Sequence, residues 1–125
     1  MSACPCGSGR VLDECCGRYH AGEAAPDAEA LMRSRYSAYV LGLEDYLRAT
    51  WHPSTCPATL DLCTPPLPQW RGLEVKACAS QDATHATVEF VARYKLNGRA
   101  FKLHEISRFE RIDGRWLYVD GGSRE

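Results

Sequence analysis

Four of the seven cysteines in this 125-residue sequence lie within its first sixteen residues. Cys4 and Cys6 form a Cys-x-Cys pair, and Cys15 and Cys16 form a Cys-Cys pair after the intervening residues 7–14. Four thiolates complete the tetrahedral shell that zinc takes in structural sites. The glycine-rich turn between the pairs lets backbone N–H groups point at the sulfur atoms, which offsets the negative charge of such a site. We therefore predict one structural Zn²⁺ per chain, held by these four cysteines.

Other chemistries of these cysteines stay open from sequence alone. The thiols could remain free or pair as disulfides, although an odd number of cysteines rules out complete internal pairing. They also suit an iron–sulfur cluster, and His20 could replace Cys16 as the fourth zinc ligand. A catalytic zinc is not expected, because catalytic sites keep one position open for water and four thiolates would close it. Cys56, Cys63 and Cys78 lack ligand spacing and are expected to be small apolar side chains or exposed thiols.

The segment that carries the cysteines shows almost no apolar periodicity over residues 1–22. It therefore depends on metal binding rather than on burial for its order. We predict a zinc knuckle over 1–22 and an α+β domain over 26–125. If the two are separable, removal of the metal should unfold the knuckle and leave the rest folded.

The spacing of apolar residues after Pro26 predicts a helix that ends at Gly42, followed by a short helix over 44–51. A proline-rich loop is expected over 53–69, because proline removes backbone donors. Beyond this loop the apolar pattern has a period of two, which predicts strands. These strands are expected over 73–79, 84–96, 100–112 and 115–120. Helices followed by an antiparallel meander indicate an α+β fold in which helices pack on a curved antiparallel sheet.

An Asn-Gly and an Asp-Gly dipeptide predict two-residue hairpin turns between the last three strands, because these residues accept a positive φ. The first turn pairs Phe90 with Glu105, and the second pairs Ser107 with Asp120. Glu105, Ser107 and Asp120 are then the polar exceptions on an inward sheet face that is otherwise apolar. The apolar residues of this face are Val88, Phe90, Ala92, Tyr94, Phe101, Leu103, Phe109, Trp116 and Tyr118.

The space between the helices and this face is a candidate ligand pocket. Its predicted lining is Arg35, Tyr39, Phe90, Glu105, Ser107, Tyr118 and Asp120. Two carboxylates in one low-dielectric space would repel each other, which together with desolvation would raise the pKa of one of them. Glu105 or Asp120 is therefore a candidate general base, with His52 at the rim or a tyrosine as the candidate acid. The alternative is that Arg35 or another helix arginine pairs with these carboxylates and the cluster is structural.

Composition disfavours several classes of protein. Fifteen Lys and Arg residues against sixteen Asp and Glu give a net charge of −1, without the basic stripe that a general nucleic-acid binder would show. The apolar runs are far shorter than the roughly 20 residues of a membrane span, and we expect a cytoplasmic protein. The identity of a small-molecule or protein partner, and the formation of a homodimer, stay open.

The segment Cys-Pro-Cys-Gly-Ser-Gly followed by Cys-Cys-Gly resembles the SEC-C motif, a zinc-binding motif of the tail of the preprotein-translocase motor ATPase. Nearly the whole remaining chain resembles the bacterial YchJ-like family. The segments that carry this resemblance are 33–39, 50–53, 88–90, 104–109 and 116–121. The resemblance implies a SEC-C zinc knuckle and a nuclear-transport-factor-two-like domain, a cone of helices around a curved sheet.

The resemblance implies no activity, because this fold hosts enzymes, ligand binders and partner-binding modules. Residues 10–14 are not lysine-rich as in the translocase tail, which argues against docking to an acidic chaperone. We predict a zinc-binding cytoplasmic accessory protein whose cone-shaped domain binds a small ligand or a protein partner. The alternatives are a small enzyme that uses Glu105 and Asp120 for acid–base chemistry, and a docking module for ribosome or protein-translocation machinery.

Overall fold

The computed structural model describes residues 3–57 and 68–123. A 3-10 turn at Leu12–Glu14 is followed by helices α1 (Cys16–His20), α2 (Ala28–Leu41) and α3 (Glu44–Ala49). The strands are β1 (Gln69–Ser80), β2 (His85–Leu96), β3 (Arg99–Ile112) and β4 (Arg115–Ser123). The sheet has the order β1-β2-β3-β4, with each strand antiparallel to the next. The predicted α+β fold is thereby confirmed. Residues 58–67 of the expected proline-rich loop, Cys63 among them, lie outside the described residues.

Helix α2 has sequence signals at both ends. The Asp27 side chain accepts a hydrogen bond from the Ala30 N–H at 2.7 Å, which satisfies one of the free donors of the first turn. Gly42 ends the helix with a φ of 72°, a conformation that glycine adopts without steric cost. The buried side of the helix includes Leu31 and Tyr36, which pack on the sheet. This helix therefore covers the core on the side that faces away from the sheet.

The chain after α3 runs beside the last strand. The Tyr118 N–H donates to the Thr50 carbonyl at 2.8 Å, and the His52 N–H donates to the Tyr118 carbonyl at 2.7 Å. Trp51 thus forms a parallel bridge with Tyr118. Successive side chains of an extended segment point to opposite faces, so Trp51 and His52 lie on different sides of the sheet.

Both predicted hairpin turns are present. Asn97 and Asp113 have φ values of 52° and 51°, and the glycine after each also has a positive φ, as two-residue hairpin turns require. Phe90 pairs with Glu105 as predicted. The predicted inward face holds for most of its members, but Phe101 near the hairpin end is 41% exposed.

A bulge in β4 changes the pairing of β3 with β4. Phe109 pairs with Tyr118 as predicted, whereas Arg108 pairs with Asp120. Val119 is therefore one extra residue on β4. Such an insertion moves all later side chains of the strand to its other face.

The bulge overturns the predicted position of one carboxylate. Asp120 lies on the outer face of the sheet, where its carboxylate forms a bidentate ion pair with the Arg108 guanidinium. Gly121 takes the position opposite Ser107. The prediction that Ser107 and Asp120 face each other is wrong, because it assumed a regular strand.

A hydrophobic cluster joins the cysteine motif to the helices and the sheet. Its buried members from the motif and α1 are Cys4, Cys6, Cys16 and Tyr19. Its buried members from α2 and the sheet include Leu31, Met32, Tyr36, Val88, Phe90 and Phe109. The thiols of the motif therefore lie in the same core as the face of α2 that covers the sheet.

Within residues 3–57 and 68–123, no helix is both long enough and apolar enough to span a bilayer.

Candidate metal centre and ligand cavity

The four cysteines of the motif converge on one point. The Sγ atoms of Cys4, Cys6, Cys15 and Cys16 lie within 4.8 Å of one another. The Cys6–Cys15 distance is 3.6 Å and the Cys15–Cys16 distance is 4.0 Å. Tetrahedral zinc with Zn–S bonds of about 2.3 Å holds its sulfur atoms about 3.8 Å apart. The donor set and its spacing therefore fit one zinc ion.

Two short elements position these sulfur atoms. The Cys4 N–H donates to the Arg10 carbonyl at 2.9 Å, which closes the turn that carries the first pair of cysteines. Gly7 and Gly9 within this turn have φ values of 80° and 86°. The second pair stands where the 3-10 turn gives way to α1, and Cys16 is the first residue of that helix. A tight turn and a helix start thus face each other across the cluster.

The proximity of the thiols perturbs their ionisation. Hydrogen bonds from the Cys16 thiol and, to a smaller extent, from Ser8 lower the pKa of Cys6 to about 4, although burial opposes the shift. The same contact raises the pKa of Cys16, and burial raises the pKa of Cys15. One thiolate is thus stabilised by its neighbours alone. Four thiolates in this space require a cation, because unpaired buried charges are strongly unfavourable.

The geometry argues against the alternatives to a single-ion site. His20 donates Nε2–H to the Ser34 carbonyl at 2.9 Å and packs edge-on against Tyr46, so it is not the fourth ligand in place of Cys16. The described cysteines are free, and their sulfur atoms are too far apart for an S–S bond of about 2.05 Å. Their close spacing leaves room for one ion rather than for a cluster of several irons.

A cavity of about 280 Å³ lies between α2 and the sheet. Its apolar and aromatic lining is Met32, Tyr36, Tyr39, Trp70, Phe90, Ala92, Leu103, Phe109 and Tyr118. Three polar side chains complete the lining: Arg35, Glu105 and Ser107. A mostly apolar cavity with a few convergent polar groups is the usual form of a small-molecule site.

Arg35 is the cation of this cavity and is only 4% exposed. Its Nη1 donates to the Leu47 carbonyl at 2.8 Å and to the Thr50 hydroxyl at 2.7 Å. The guanidinium carbon lies 4.9 Å from the ring centre of Trp51 and 4.6 Å from that of Tyr118. Burial lowers the pKa of Arg35. Two aromatic faces and neutral acceptors therefore hold this charge inside the protein.

Glu105 is the anion of the cavity. Its Oε2 accepts a hydrogen bond from the Ser107 hydroxyl at 2.7 Å. Ser107 is itself buried, and a Cβ at Gly121 would overlap the Glu105 carboxylate. Burial and, to a smaller extent, the charge of this carboxylate raise the pKa of Tyr118 to about 12.

Comparison with known proteins assigns both parts of the chain. Residues 27–121 match the family model "YchJ, middle NTF2-like domain", and residues 2–18 match the SEC-C motif. A UPF0225 protein of Cupriavidus metallidurans is 64% identical over 129 residues, which cover 98% of this chain and 89% of the relative. The chain belongs to the UPF0225 family. A further UPF0225 protein, from Chromobacterium violaceum, is 58% identical and covers 96% of this chain and 92% of its own.

Two solved structures share the fold of this UPF0225 chain. The solution structure of RPA3114, a SEC-C motif containing protein from Rhodopseudomonas palustris, has a TM-score of 0.83 at 34% identity and covers 98% of each chain. The crystal structure of a SEC-C motif containing protein from Psychrobacter arcticus has a TM-score of 0.81 at 29% identity, and covers 100% of this chain and 84% of its own. The NTF2-like domain with an N-terminal SEC-C motif is therefore the architecture of this protein.

The candidate catalytic residues of this UPF0225 protein are not gathered in one place. Glu105 lines the cavity, whereas Asp120 is paired with Arg108 on the outer face. His52 also lies outside the cavity lining, with its Nε2 3.2 Å from a carboxylate oxygen of Glu110. Asp120 and His52 therefore lie outside the lining of the cavity that Glu105 shares. The bulge turns the Asp120 side chain away from the cavity. The alternation of side chains along the extended segment beside β4 turns His52 away from it.

Sequence reasoning missed residues that shape this cavity in the UPF0225 fold. Trp51 stacks on Arg35, and Trp70 lines the cavity from β1, yet neither was expected in the pocket. Gly121 was also missed, although glycine within a strand pattern signals a bulge or a close approach. The Gly121-Gly122 pair was the available signal for the bulge.

Proposed function

We propose that this UPF0225 protein is a zinc-stabilised accessory protein that binds a small organic ligand in the cavity between α2 and the sheet. Residues 1–22 are the zinc knuckle, and residues 26–125 are the ligand-binding domain. Cys4, Cys6, Cys15 and Cys16 hold one structural zinc ion per chain. The ligand pocket comprises the predicted residues other than Asp120.

The cavity is the observation that carries this proposal. Its aromatic walls offer apolar contact area, and three polar side chains, Arg35, Glu105 and Ser107, converge on the same space. Apolar walls with few polar groups give a ligand both affinity and orientation. The zinc supports the site indirectly, because the Cys4 Sγ lies 3.5 Å from the Ser37 hydroxyl of α2, the helix that covers the cavity.

The placement of the titratable groups favours binding over catalysis. An enzyme that uses acid–base chemistry needs an acid and a base within reach of the same substrate. Of the predicted set, Glu105 lines the cavity together with Tyr39 and Tyr118, and burial raises the pKa of both tyrosines, which makes them weaker acids. Asp120 and His52 are engaged with Arg108 and Glu110. Closely spaced free thiols also favour the reducing cytoplasm as the compartment of the protein.

Native mass spectrometry of the protein, purified gently from its own host, tests the proposal. We expect one zinc ion per chain and an additional small mass that disappears on unfolding. A spectrum that shows zinc but no bound small molecule would favour a different function, that of a docking module that acts through the knuckle. Absence of zinc from a correctly folded protein would overturn the metal assignment.

The docking alternative has its own test. The knuckle is removed, or Cys4→Ser is introduced, and the partners that co-purify from the host lysate are compared with those of the unaltered protein. Loss of the same partners in both variants would support docking, with Cys78→Ser as the control because Cys78 is exposed and outside the cluster.

A further inference from the structure

Two opposite charges line the cavity without neutralising each other. Among residues 3–57 and 68–123, no carboxylate lies within 4.0 Å of the Arg35 guanidinium, and no cationic group lies within 4.0 Å of the Glu105 carboxylate. Both side chains line the same cavity. Arg35 is buried and Glu105 is half-buried. Charges that are shielded from water are normally paired, so an unpaired cation and an unpaired anion in one cavity require an explanation.

The Arg35 guanidinium has donors left for a ligand. Of its five N–H groups, Nη1 supplies those that bond the Leu47 carbonyl and the Thr50 hydroxyl. The Tyr39 hydroxyl is a further neutral partner. The Trp51 and Tyr118 ring centroids lie 5.1 Å from each other, so both rings pack on the same side of the guanidinium. A planar, fixed fork of this kind matches a carboxylate group.

The Glu105 carboxylate has acceptor capacity left in the same way. Its one described hydrogen bond comes from the Ser107 hydroxyl, whereas an ionised carboxylate offers about four acceptor sites. Gly121 leaves open the space that this carboxylate occupies above β4. Glu105 is thus held in position by a neutral donor and is ready to accept from a cation.

We infer that the cavity ligand is a small zwitterion, with a carboxylate bound by Arg35, a protonated amine bound by Glu105, and an apolar or aromatic body between the rings. This inference rests on the proposed ligand-binding function. A ligand with both charges pairs both side chains. A ligand with a single charge leaves one side chain desolvated and unpaired, which selects against it.

Calorimetric titration of the zinc-loaded protein with five probes tests the inference. Phenylalanine and 4-(aminomethyl)benzoate are zwitterions with a short and a long separation between their charges. 3-Phenylpropionate carries only the carboxylate, 2-phenylethylamine carries only the ammonium group, and 3-phenylpropanamide is neutral. We expect at least one zwitterion to bind about tenfold or more tightly than each of the three probes that lack one or both charges. Each lost charge-assisted hydrogen bond weakens binding by that order.

Charge-removing variants identify which side chain binds which end. Glu105→Gln keeps the shape of the side chain, and we expect it to bind the zwitterion about tenfold more weakly while leaving the affinity for 3-phenylpropionate unchanged or improved. Asp120→Asn is the matched control, because Asp120 is on the outer face, and it should leave both affinities unchanged. Arg35→Gln should weaken the binding of all three probes that carry a carboxylate, but this side chain is buried and the variant counts only if its circular dichroism is native.

The outcomes separate the inference from the proposed function. Equal affinity for the neutral and the charged probes would overturn the inference that the ligand is a zwitterion. Equal affinity of the parent protein and Glu105→Gln for the zwitterion would overturn it as well. In both cases the cavity would remain a binding site. Failure of all five probes to bind would also overturn the inference. The native mass spectrum of the host protein then decides separately whether the cavity has any ligand.

Discussion

The Glu105 carboxylate occupies the space that a side chain at position 121 would need, so Gly121 lies directly beneath it. The bulge at Val119 brings Gly121 opposite Ser107, and Ser107 in turn holds the Glu105 carboxylate through its hydroxyl. A change in the register of β4 therefore determines where the anion of the cavity lies.

Substitution Gly121→Ala should displace the Glu105 carboxylate, because the new methyl group would overlap it. We expect at least about tenfold weaker binding of the cavity ligand, with a change in stability of about 1 kcal/mol, since the carboxylate is the flexible end of its side chain. Calorimetric titration and urea unfolding measure the two effects. Gly72→Ala is the control, because a Cβ at this strand glycine would meet no atom within 4 Å. Unchanged ligand binding by Gly121→Ala would contradict the assigned role of Glu105.

Substitution of Cys6 by serine should abolish zinc binding and lower the free energy of unfolding by about 4 kcal/mol or more, the range of a lost metal site. The thiolate is lost from a fully buried position among three other sulfur atoms. Inductively coupled plasma mass spectrometry and urea unfolding measure these effects. Cys78→Ser should keep its zinc and its stability, since Cys78 is exposed and lies outside the cluster.

Chelation should disturb α2 as well as the knuckle. The Arg33 guanidinium donates to the Cys6 carbonyl at 3.0 Å, and Cys4 and Cys16 belong to the same buried cluster as Leu31 and Tyr36. We expect amide exchange to accelerate in residues 28–41 when zinc is removed by a strong chelator, with recovery on re-addition. Protection that is lost only over residues 1–22 would show instead that the knuckle is an independent unit.

Substitution Arg35→Lys should lower the free energy of unfolding by about 2 kcal/mol, although the charge is conserved. A lysine ammonium cannot contact the Trp51 and Tyr118 rings while it also reaches the Leu47 carbonyl and the Thr50 hydroxyl. Urea unfolding at neutral pH measures the loss. Arg99→Lys, at an exposed hairpin position, should change stability by less than about 0.5 kcal/mol.

The stability of the protein should fall as the pH rises above 10. Burial raises the pKa of Tyr118 from 10.0 to about 12, so between these values the unfolded chain loses its proton and the folded protein retains it. The proton is then bound more tightly by the folded state, which makes the free energy of unfolding decrease with pH. Urea unfolding at pH 9 and pH 11 should show a smaller difference for Tyr118→Phe than for the parent protein. An equal difference would contradict the buried position of this hydroxyl.

Substitution Asp120→Asn should change the free energy of unfolding by at most about 1 kcal/mol, because it breaks an exposed ion pair. The Arg108 guanidinium lowers the pKa of Asp120, so any contribution of this pair is present above the ordinary carboxyl pKa and is lost as the pH falls towards acid. Urea unfolding at pH 7 and pH 3 measures both. A large loss at pH 7 would place Asp120 in the core, contrary to its position on the outer face.

The sequence by itself determined the elements with strong local signals. The cysteine spacing predicted the convergence of Cys4, Cys6, Cys15 and Cys16, because a turn rich in glycine leaves short segments few other arrangements. The Asn-Gly turn predicted the pairing of β2 with β3, since a two-residue loop fixes the register. The period of the apolar residues predicted α2 and the sheet that it covers.

Only the tertiary structure decided what each polar side chain faces. One extra residue at Val119 moved Asp120 to the outer face and placed Gly121 beneath Glu105, and no local preference of the chain sets the position of a bulge. The Trp51 and Tyr118 rings come from segments far apart in sequence, so the stacking on Arg35 depends on their packing. The local spacing of the cysteines therefore determines the donor set of the metal centre, whereas the polar groups of the cavity are brought together by contacts between distant segments.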